Sequence, residues 1–352
     1  MVTSTILVLS LVATSFAALV WAVTCTHVLV RRRHGSRHTT CQETSEIDLV
    51  VSWVDGEDSV RADIRRQYWR VAYPESAISD IPIKRLSRRG RPELRFLLRS
   101  ARRYAPWVRR VFVVCSGGQD PAGVIDPCDR ERITVIDDSE ILLPTSLPTF
   151  NSHAIEANLD RIPELTEKFL YACDDMWFCA PMVPEDFFDE GAAITYVDGK
   201  ILAPFGEFTD EQAHRAAWTR NQQLLGQRVP RPDHQITALT RSSFQRARSR
   251  FADEFERTSH SRFRCAKDIH PIGLSQFIET KPENLRPRRS INFGITESVL
   301  RNRLLMNWHW LVNPRATLLC FNDNLQSTEN EDAINEWYST VMEKIAGAEG
   351  ET

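Results

Sequence analysis

The residues best equipped for chemistry are concentrated between Leu147 and Pro181, in LPTFNSHAIEANLDRIPELTEKFLYACDDMWFCAP. Thr149, Asn151, Ser152 and His153 offer hydroxyl, amide and imidazole groups of the kind that bind sugars or phosphates. Asp174 and Asp175 form a carboxylate pair after the apolar run Lys168 to Tyr171. A carboxylate pair at the carboxyl end of a buried strand is where an α/β sheet places metal or substrate ligands. Two acidic side chains favour a hard divalent cation, which readily bridges phosphate oxygens. A polar strand end with two solvated aspartates gives the same string, so the pair is weak on its own. The pattern recurs, however, at Val54-Asp55, Asp137-Asp138 and Asn322-Asp323. Carboxylates gathered at one sheet edge would raise one another's pKa unless a cation sat among them.

The elements that must position these groups are legible from pattern. Ile47 to Gly56, IDLVVSWVDG, is an apolar, β-branched strand closing in Asp-Gly. Val108 to Ser116, Arg132 to Asp137 and Thr317 to Asp323 read as further buried strands, and Gly191 to Phe205 as another strand region. Ser59 to Tyr73 and Glu93 to Tyr104 read as helices, the second stopped at Ala105-Pro106. Ile155, Leu159, Ile162 and Leu165 fall near helical spacing, with Pro163 a candidate break. Helices are also expected from Thr209 to Leu225, from Gln235 to Phe255 and over the tail from Glu329 to Lys344. Strands alternating with helices predict an α/β protein with a mostly parallel central sheet and flanking helices.

Composition sets the frame. The chain has 352 residues, 42% hydrophobic and 26% charged, with a formal net charge of -3. That suits a folded globular protein and gives no reason to expect nucleic-acid binding. Basic clusters at Lys84–Arg91, Arg99–Arg110 and Arg286–Arg289 read mainly as solvated faces, though a phosphate site could recruit some of them. The eight cysteines show neither a CxxC pair nor zinc spacing, and no disulfide framework can be read. Ile6 to Val30 is an almost uncharged apolar run followed at once by Arg31-Arg32-Arg33, long enough to cross a bilayer as one helix. The expected layout is an anchor and linker over 1–46, a catalytic domain over 47–330, and a helix and tail over 331–352.

Four blocks in order resemble the Stealth family of sugar-1-phosphate transferases, which includes bacterial capsular polysaccharide phosphotransferases and the animal Golgi N-acetylglucosamine-1-phosphotransferase. They are IDLVVSWVDGED at 47–58, the ELR and LPTFNSHAIEANLDRI…DDMWF strings at 93–178, the stretch His234 to Asp268, and LCFND at 319–323. The resemblance implies a nucleotide-sugar-transferase-like fold and a nucleotide-sugar donor such as UDP-GlcNAc. It further implies Mg²⁺ or Mn²⁺ and a glycan or glycoprotein acceptor whose hydroxyl attacks the donor's β-phosphorus, releasing a nucleoside monophosphate. Carried over by position, His234 and Arg264 become catalytic, and Asp174, Asp175 and Asp323 become metal ligands. Asp48, Asp55, Asn151 and Ser152 become donor contacts, with Asp268 and His270 behind them. Three positions depart from the family pattern: Cys173 replaces the Asn before the acidic pair, Arg88-Arg89-Gly90 replaces Arg-Asp-Asp, and Asp160 replaces the histidine of LHRI. These bear on donor choice more than on reaction class. The animal enzyme's long insertions between blocks are absent, so no substrate-protein recognition modules are expected.

Two other readings compete. A metal-dependent glycosyltransferase would break the sugar C1–O bond and release a nucleoside diphosphate; an anchored carbohydrate-binding protein would do neither. Location is expected at a Golgi or secretory-pathway membrane through the N-terminal helix, with a lumenal catalytic domain as the resemblance implies and a homodimer compatible with it. The basic flank after the apolar run, by the positive-inside rule, instead puts the domain on the cytoplasmic side. The lack of an N-x-S/T acceptor is consistent with that orientation.

Overall fold

The computed structural model describes residues 46–74, 92–201, 212–323, 325 and 329–347. The apolar run Ile6–Val30 and the Arg88–Gly90 departure lie outside the described residues. No described helix is long and apolar enough to cross a membrane.

The centre is a five-stranded sheet. Its strands are β1 (Ile47–Ser52), β2 (Val111–Cys115), β3 (Ile133–Asp137), β4 (Lys168–Cys173) and, beyond the short β5 (Met176–Phe178), β6 (Phe188–Asp189), β7 (Ala192–Ala193), β8 (Thr195–Ile201) and β9 (Pro230–Pro232), the edge strand β10 (Thr237–Thr240). The spatial order is β10-β4-β1-β2-β3, parallel except for β10 against β4. The chain runs outward from β1 to β2 and β3, then crosses to β4 on the other side of β1. That reversal opens a crevice at the carboxyl ends of β1 and β4, where Ser52 and Cys173 are paired in register.

The parallel strands are apolar on both faces because both faces are covered. Leu49, Val51, Val113 and Leu170 enter one core with α2 (Glu93–Tyr104), which follows α1 (Ser59–Ala72). Val50, Phe112, Val114 and Phe169 enter the other, beneath α3 (Asp138–Ile141), α4 (Ser152–Glu156), α5 (Ala213–Leu225), α6 (Arg241–Arg250), α7 (Ala252–His260) and α8 (Pro271–Phe277) or their flanks. A second sheet, in order β12-β13-β5, is built from β12 (Ser290–Ile295) and β13 (Leu318–Asp323), which flank α9 (Val299–Val312); β11 (Leu285–Pro287) belongs to a third sheet with β8 and β9. The terminal α10 (Glu331–Ala346) joins the first core through Trp337 and Tyr338, and the Tyr104 hydroxyl donates to Ile345 O at 2.7 Å.

Two expected helices come out differently. The periodic stretch Ile155 to Leu165 is helical only to Glu156, then a 3-10 turn at Leu159–Arg161. Its four apolar residues are buried as expected, but the Asn158 amide donates to Ala154 O at 2.8 Å and Ser259 Oγ at 2.9 Å. That bond and Pro163, which lacks an N–H, take the chain out of the helix. Gln235 to Phe255 is not one helix. Thr237–Thr240 pairs with β4 as an edge strand, and the Thr240 hydroxyl then caps α6 by accepting from Ser243 N at 3.1 Å. None of the six described cysteines is in a disulfide.

Asp48 sits near the amino end of β1, at the opposite edge of the sheet from the crevice, which it does not line. Its carboxylate is fully buried. It accepts from Arg109 Nε and Nη2, both at 2.8 Å, from Thr166 N at 3.0 Å and from Thr166 Oγ1 at 2.9 Å. It ties β1, β2 and β4 together and has no access to a donor, contrary to the sequence expectation. Asp48→Asn should therefore lower stability by about 2–3 kcal/mol in urea unfolding, because a buried charge pair loses one partner. The KM of the folded fraction for its donor should not move.

Candidate functional site

A cleft of about 940 Å³ opens over the carboxyl ends of β1, β2 and β4. Asp174 and Asp175 form its floor. They occupy the turn between β4 and β5, where the chain leaves the central sheet for the second one, and Phe321 N donates to Asp175 O at 3.1 Å. Both side chains are about nine-tenths buried yet line the cleft, beside Asn322 at the end of β13. Their donor set is all oxygen, and two neighbouring carboxylates in a low-dielectric setting are stabilised by a cation. These residues fit a hard divalent cation. Asp323 closes β13, paired in register with Ile295, but its side chain lies outside what is described. Cys173 also lines the cleft. Burial first, then the charges of Asp175, Glu156 and Asp174, push its thiol well above the ordinary range, so it is a poor substitute for an amide oxygen.

His234 reaches the same floor from the loop between β9 and β10. The buried Asp233 anchors that loop, accepting from Ser290 Oγ and from Asn292 Nδ2. His234 Nε2 then stands 4.0 Å from Asp175 Oδ2, with the ring about half exposed. Arg264 comes from the loop after α7. That loop is bound to the LPTFNS segment: Arg262 donates to Pro148 O at 2.8 Å and Leu147 O at 3.0 Å, Phe150 N donates to Arg262 O at 2.8 Å, and Phe150 stacks on Phe263. Arg264 Nη2 donates to Ser152 Oγ, while its buried Nε has no hydrogen-bond partner. The structure thus brings Asp174, Asp175, His234, Arg264 and Ser152 to one cavity, with Asp55 on its rim. Asp55 also turns the chain, accepting from Glu57 N at 2.8 Å. Asn151 faces the cleft, but its amide is committed to Ser261 O at 3.0 Å and Asp268 Oδ2 at 2.9 Å, and its carbonyl accepts from His153 N at 3.0 Å. Asp137 and Asp138 are spent on the Ser116–Gly118 turn rather than on the cleft.

Several site residues carry no signal in sequence. Glu156 ends α4 as an ordinary helical glutamate, yet its side chain is buried in the cleft wall. Tyr171 Oη donates to its Oε1 at 3.2 Å. Burial pushes this carboxyl up, against the pull of the Arg264 guanidinium. Arg61 spans the β1 and β2 ends, donating to Ser116 Oγ at 2.6 Å and Thr149 O at 2.8 Å.

Three imidazoles, His153, His214 and His270, meet with candidate ligating nitrogens within 4.8 Å of one another. They do not make a good metal site. Gly273 N donates to His270 Nδ1 at 3.0 Å, capping α8. The neutral ring must then carry its proton on Nε2, which leaves no lone pair for a metal. Gly273 itself is required, because a Cβ there would sit 2.1 Å from the Trp218 ring. Burial, followed by the Arg264 and His234 charges, lowers His270 to about 3; burial, followed by the His270 charge, lowers His214 to about 2.

An unfolded histidine takes up a proton below about pH 6.5, whereas native His270 does not until about pH 3. The stability it contributes is therefore complete above pH 6.5 and is lost as the pH falls. Between pH 6.5 and 5 the loss from His270 should be about 2 kcal/mol. His270→Asn keeps an acceptor for Gly273 N and should flatten that part of the stability–pH curve, measured by urea unfolding.

Residues 87–195 match Stealth protein CR2, conserved region 2, and residues 233–272 match Stealth protein CR3, conserved region 3. The exopolysaccharide phosphotransferase SCO2594 of Streptomyces coelicolor is 38% identical over 236 residues, 65% of this chain and 38% of that protein. The exopolysaccharide phosphotransferase CpsY of Mycobacterium leprae is 35% identical over 234 residues, 64% of this chain and 42% of that protein. The chain thus spans about two-fifths of the length of these curated relatives. Among solved structures, the galactosyltransferase LgtC aligns over 83% of the chain and 95% of its own, at 12% identity and a TM-score of 0.38. The cleft is walled by the two matched regions, with Glu156, Asp174 and Asp175 from the first and His234, Arg264 and His270 from the second, so the chain carries Stealth conserved regions 2 and 3 around one cavity.

Proposed function

We propose that the chain transfers a sugar-1-phosphate from a nucleotide-sugar donor, UDP-GlcNAc or a similar compound, to a hydroxyl of an acceptor glycan. The observation that carries this reading is the convergence of Asp174, Asp175, His234, Arg264 and Glu156 on one cavity from separate parts of the chain. The crevice at the ends of β1 and β4, rimmed by Asp55 and Arg61, suits the nucleotide. Asp174 and Asp175, with the Asn322 amide, would hold Mg²⁺ or Mn²⁺. A bound cation neutralises charge on the diphosphate.

The chain's own residues account for the rest. Arg264 is fixed by Ser152 and presents a guanidinium to the phosphate oxygens. His234 and Glu156 both line the cavity, and each is a candidate to take the acceptor hydroxyl's proton. The acceptor oxygen forms a bond to the β-phosphorus, the bond from that phosphorus to the α–β bridging oxygen breaks, and the nucleoside monophosphate leaves with that oxygen. Transfer of this kind is mostly positioning and charge stabilisation, which matches a site rich in charged side chains.

The purified protein, supplied with Mg²⁺ or Mn²⁺, a panel of nucleotide sugars and a glycan acceptor, should release a nucleoside monophosphate in step with phosphodiester formation. Release of a nucleoside diphosphate would replace this reading with ordinary glycosyl transfer. His234→Ala and Glu156→Gln should each lower turnover by roughly 10²- to 10⁴-fold, the usual share of a proton-transfer group. Arg264→Lys keeps the charge but loses the fork, and should remain well below wild type. Chelation should abolish transfer, and added Mg²⁺ or Mn²⁺ should restore it.

A further inference from the structure

We propose that the outward face of α9 is a docking surface for an anionic lipid bilayer. The helix runs from Val299 to Val312 behind β12. Its inner face is fixed by Asn302 and Met306, both buried, and by His309 edge-on to Phe293. The opposite face is apolar and open to solvent. Leu300 is 68% exposed and Trp308 58%, and Leu304, Leu311 and Val312 are exposed with them. At about 100° per residue, Leu300, Leu304, Trp308 and Leu311 fall within roughly one quarter of the helix circumference. Arg303 borders that stripe on one side and Arg301 on the other, and both are exposed.

Charge selects the occupant. From Ser298 to Asn322 the sequence holds Arg301, Arg303 and Arg315 and no Asp or Glu. A second copy docked face to face would set arginine against arginine with no carboxylate on either helix to offset them. A layer of anionic headgroups over hydrocarbon satisfies both components: the leucines and the indole enter the interface, and the guanidinium groups meet phosphates. Tryptophan and arginine are the side chains that settle at that depth. An independent feature points to the same solvent. The apolar run Ile6–Val30 has bilayer-spanning length, and Arg31–Arg33 at its end favours the leaflet that carries negative lipid. The face is separate from the transfer chemistry, so this inference stands or falls without it.

The test uses the full chain reconstituted into phosphatidylglycerol–phosphatidylcholine vesicles carrying brominated acyl chains, which quench indole emission at short range. Wild type is compared with Trp308→Phe, so that Trp21 and the other indoles cancel. A quenched component present in wild type and absent from Trp308→Phe is expected. Arg301→Gln and Arg303→Gln should each lower the docked-to-undocked ratio about fivefold, the value of one basic residue near an anionic surface. Equal quenching in wild type and Trp308→Phe overturns the proposal. A Trp308-dependent component that is just as strong in pure phosphatidylcholine overturns its electrostatic part. Disulfide-linked dimers formed by Leu304→Cys, without Trp308-dependent quenching, also overturn it and assign the face to self-association.

Discussion

The site depends on the bonding of one loop to another. The LPTFNS loop and the loop that carries Arg264 are 110 or more residues apart, and each has backbone groups that need partners. Asn151 supplies two donors to the second loop and one acceptor to its own helix, all from a side chain that is almost entirely buried. Arg262 closes the other end by donating to two consecutive carbonyls. Burying a polar amide is costly unless its hydrogen bonds are made, so the loops hold one arrangement rather than a range of them. Ser152 and Arg264 inherit their relative position from that arrangement. The buried Asp268, raised by its own burial, belongs to the same network through Asn151 and Cys265.

The cleft floor is fixed by a different constraint. Asp174 and Asp175 are held by the passage of one chain segment from the five-stranded sheet into the three-stranded one. Backbone pairing on both sides of the turn leaves little freedom for either carboxylate. His234 is set against them by Asp233, whose bonds to Ser290 and Asn292 belong to the second sheet. The floor is thus a property of how two sheets meet, and the wall a property of how two loops meet.

What the sequence made legible, and what it did not, follows from this division. The parallel strands could be read because burial on both faces forces continuous apolar runs, as in IDLVV and VFVVC. The acidic strand ends could be read as a group, but not sorted. Asp137 and Asp138 look the same in sequence as Asp174 and Asp175, yet they serve a neighbouring turn. Asp48 carried the family position of a donor contact and turned out to be part of a buried ion pair, because periodicity does not show which end of a strand faces the crevice. Asn151 lines the cleft, but its amide is occupied by protein partners that are remote in sequence. Glu156, His214 and the orientation of the His270 ring were hidden for a related reason: their roles depend on which elements cover them. The segment Thr237–Thr240 became a strand because β4 had an edge to fill, a tertiary demand that outweighed the surrounding helical pattern.

His270 has a further consequence for what the cleft accepts. Its ring is anchored to the first turn of a helix through one nitrogen, and the remaining nitrogen can only give a proton. Any group that meets that nitrogen must therefore bring a lone pair: a hydroxyl or phosphate oxygen satisfies it, and an ammonium group does not.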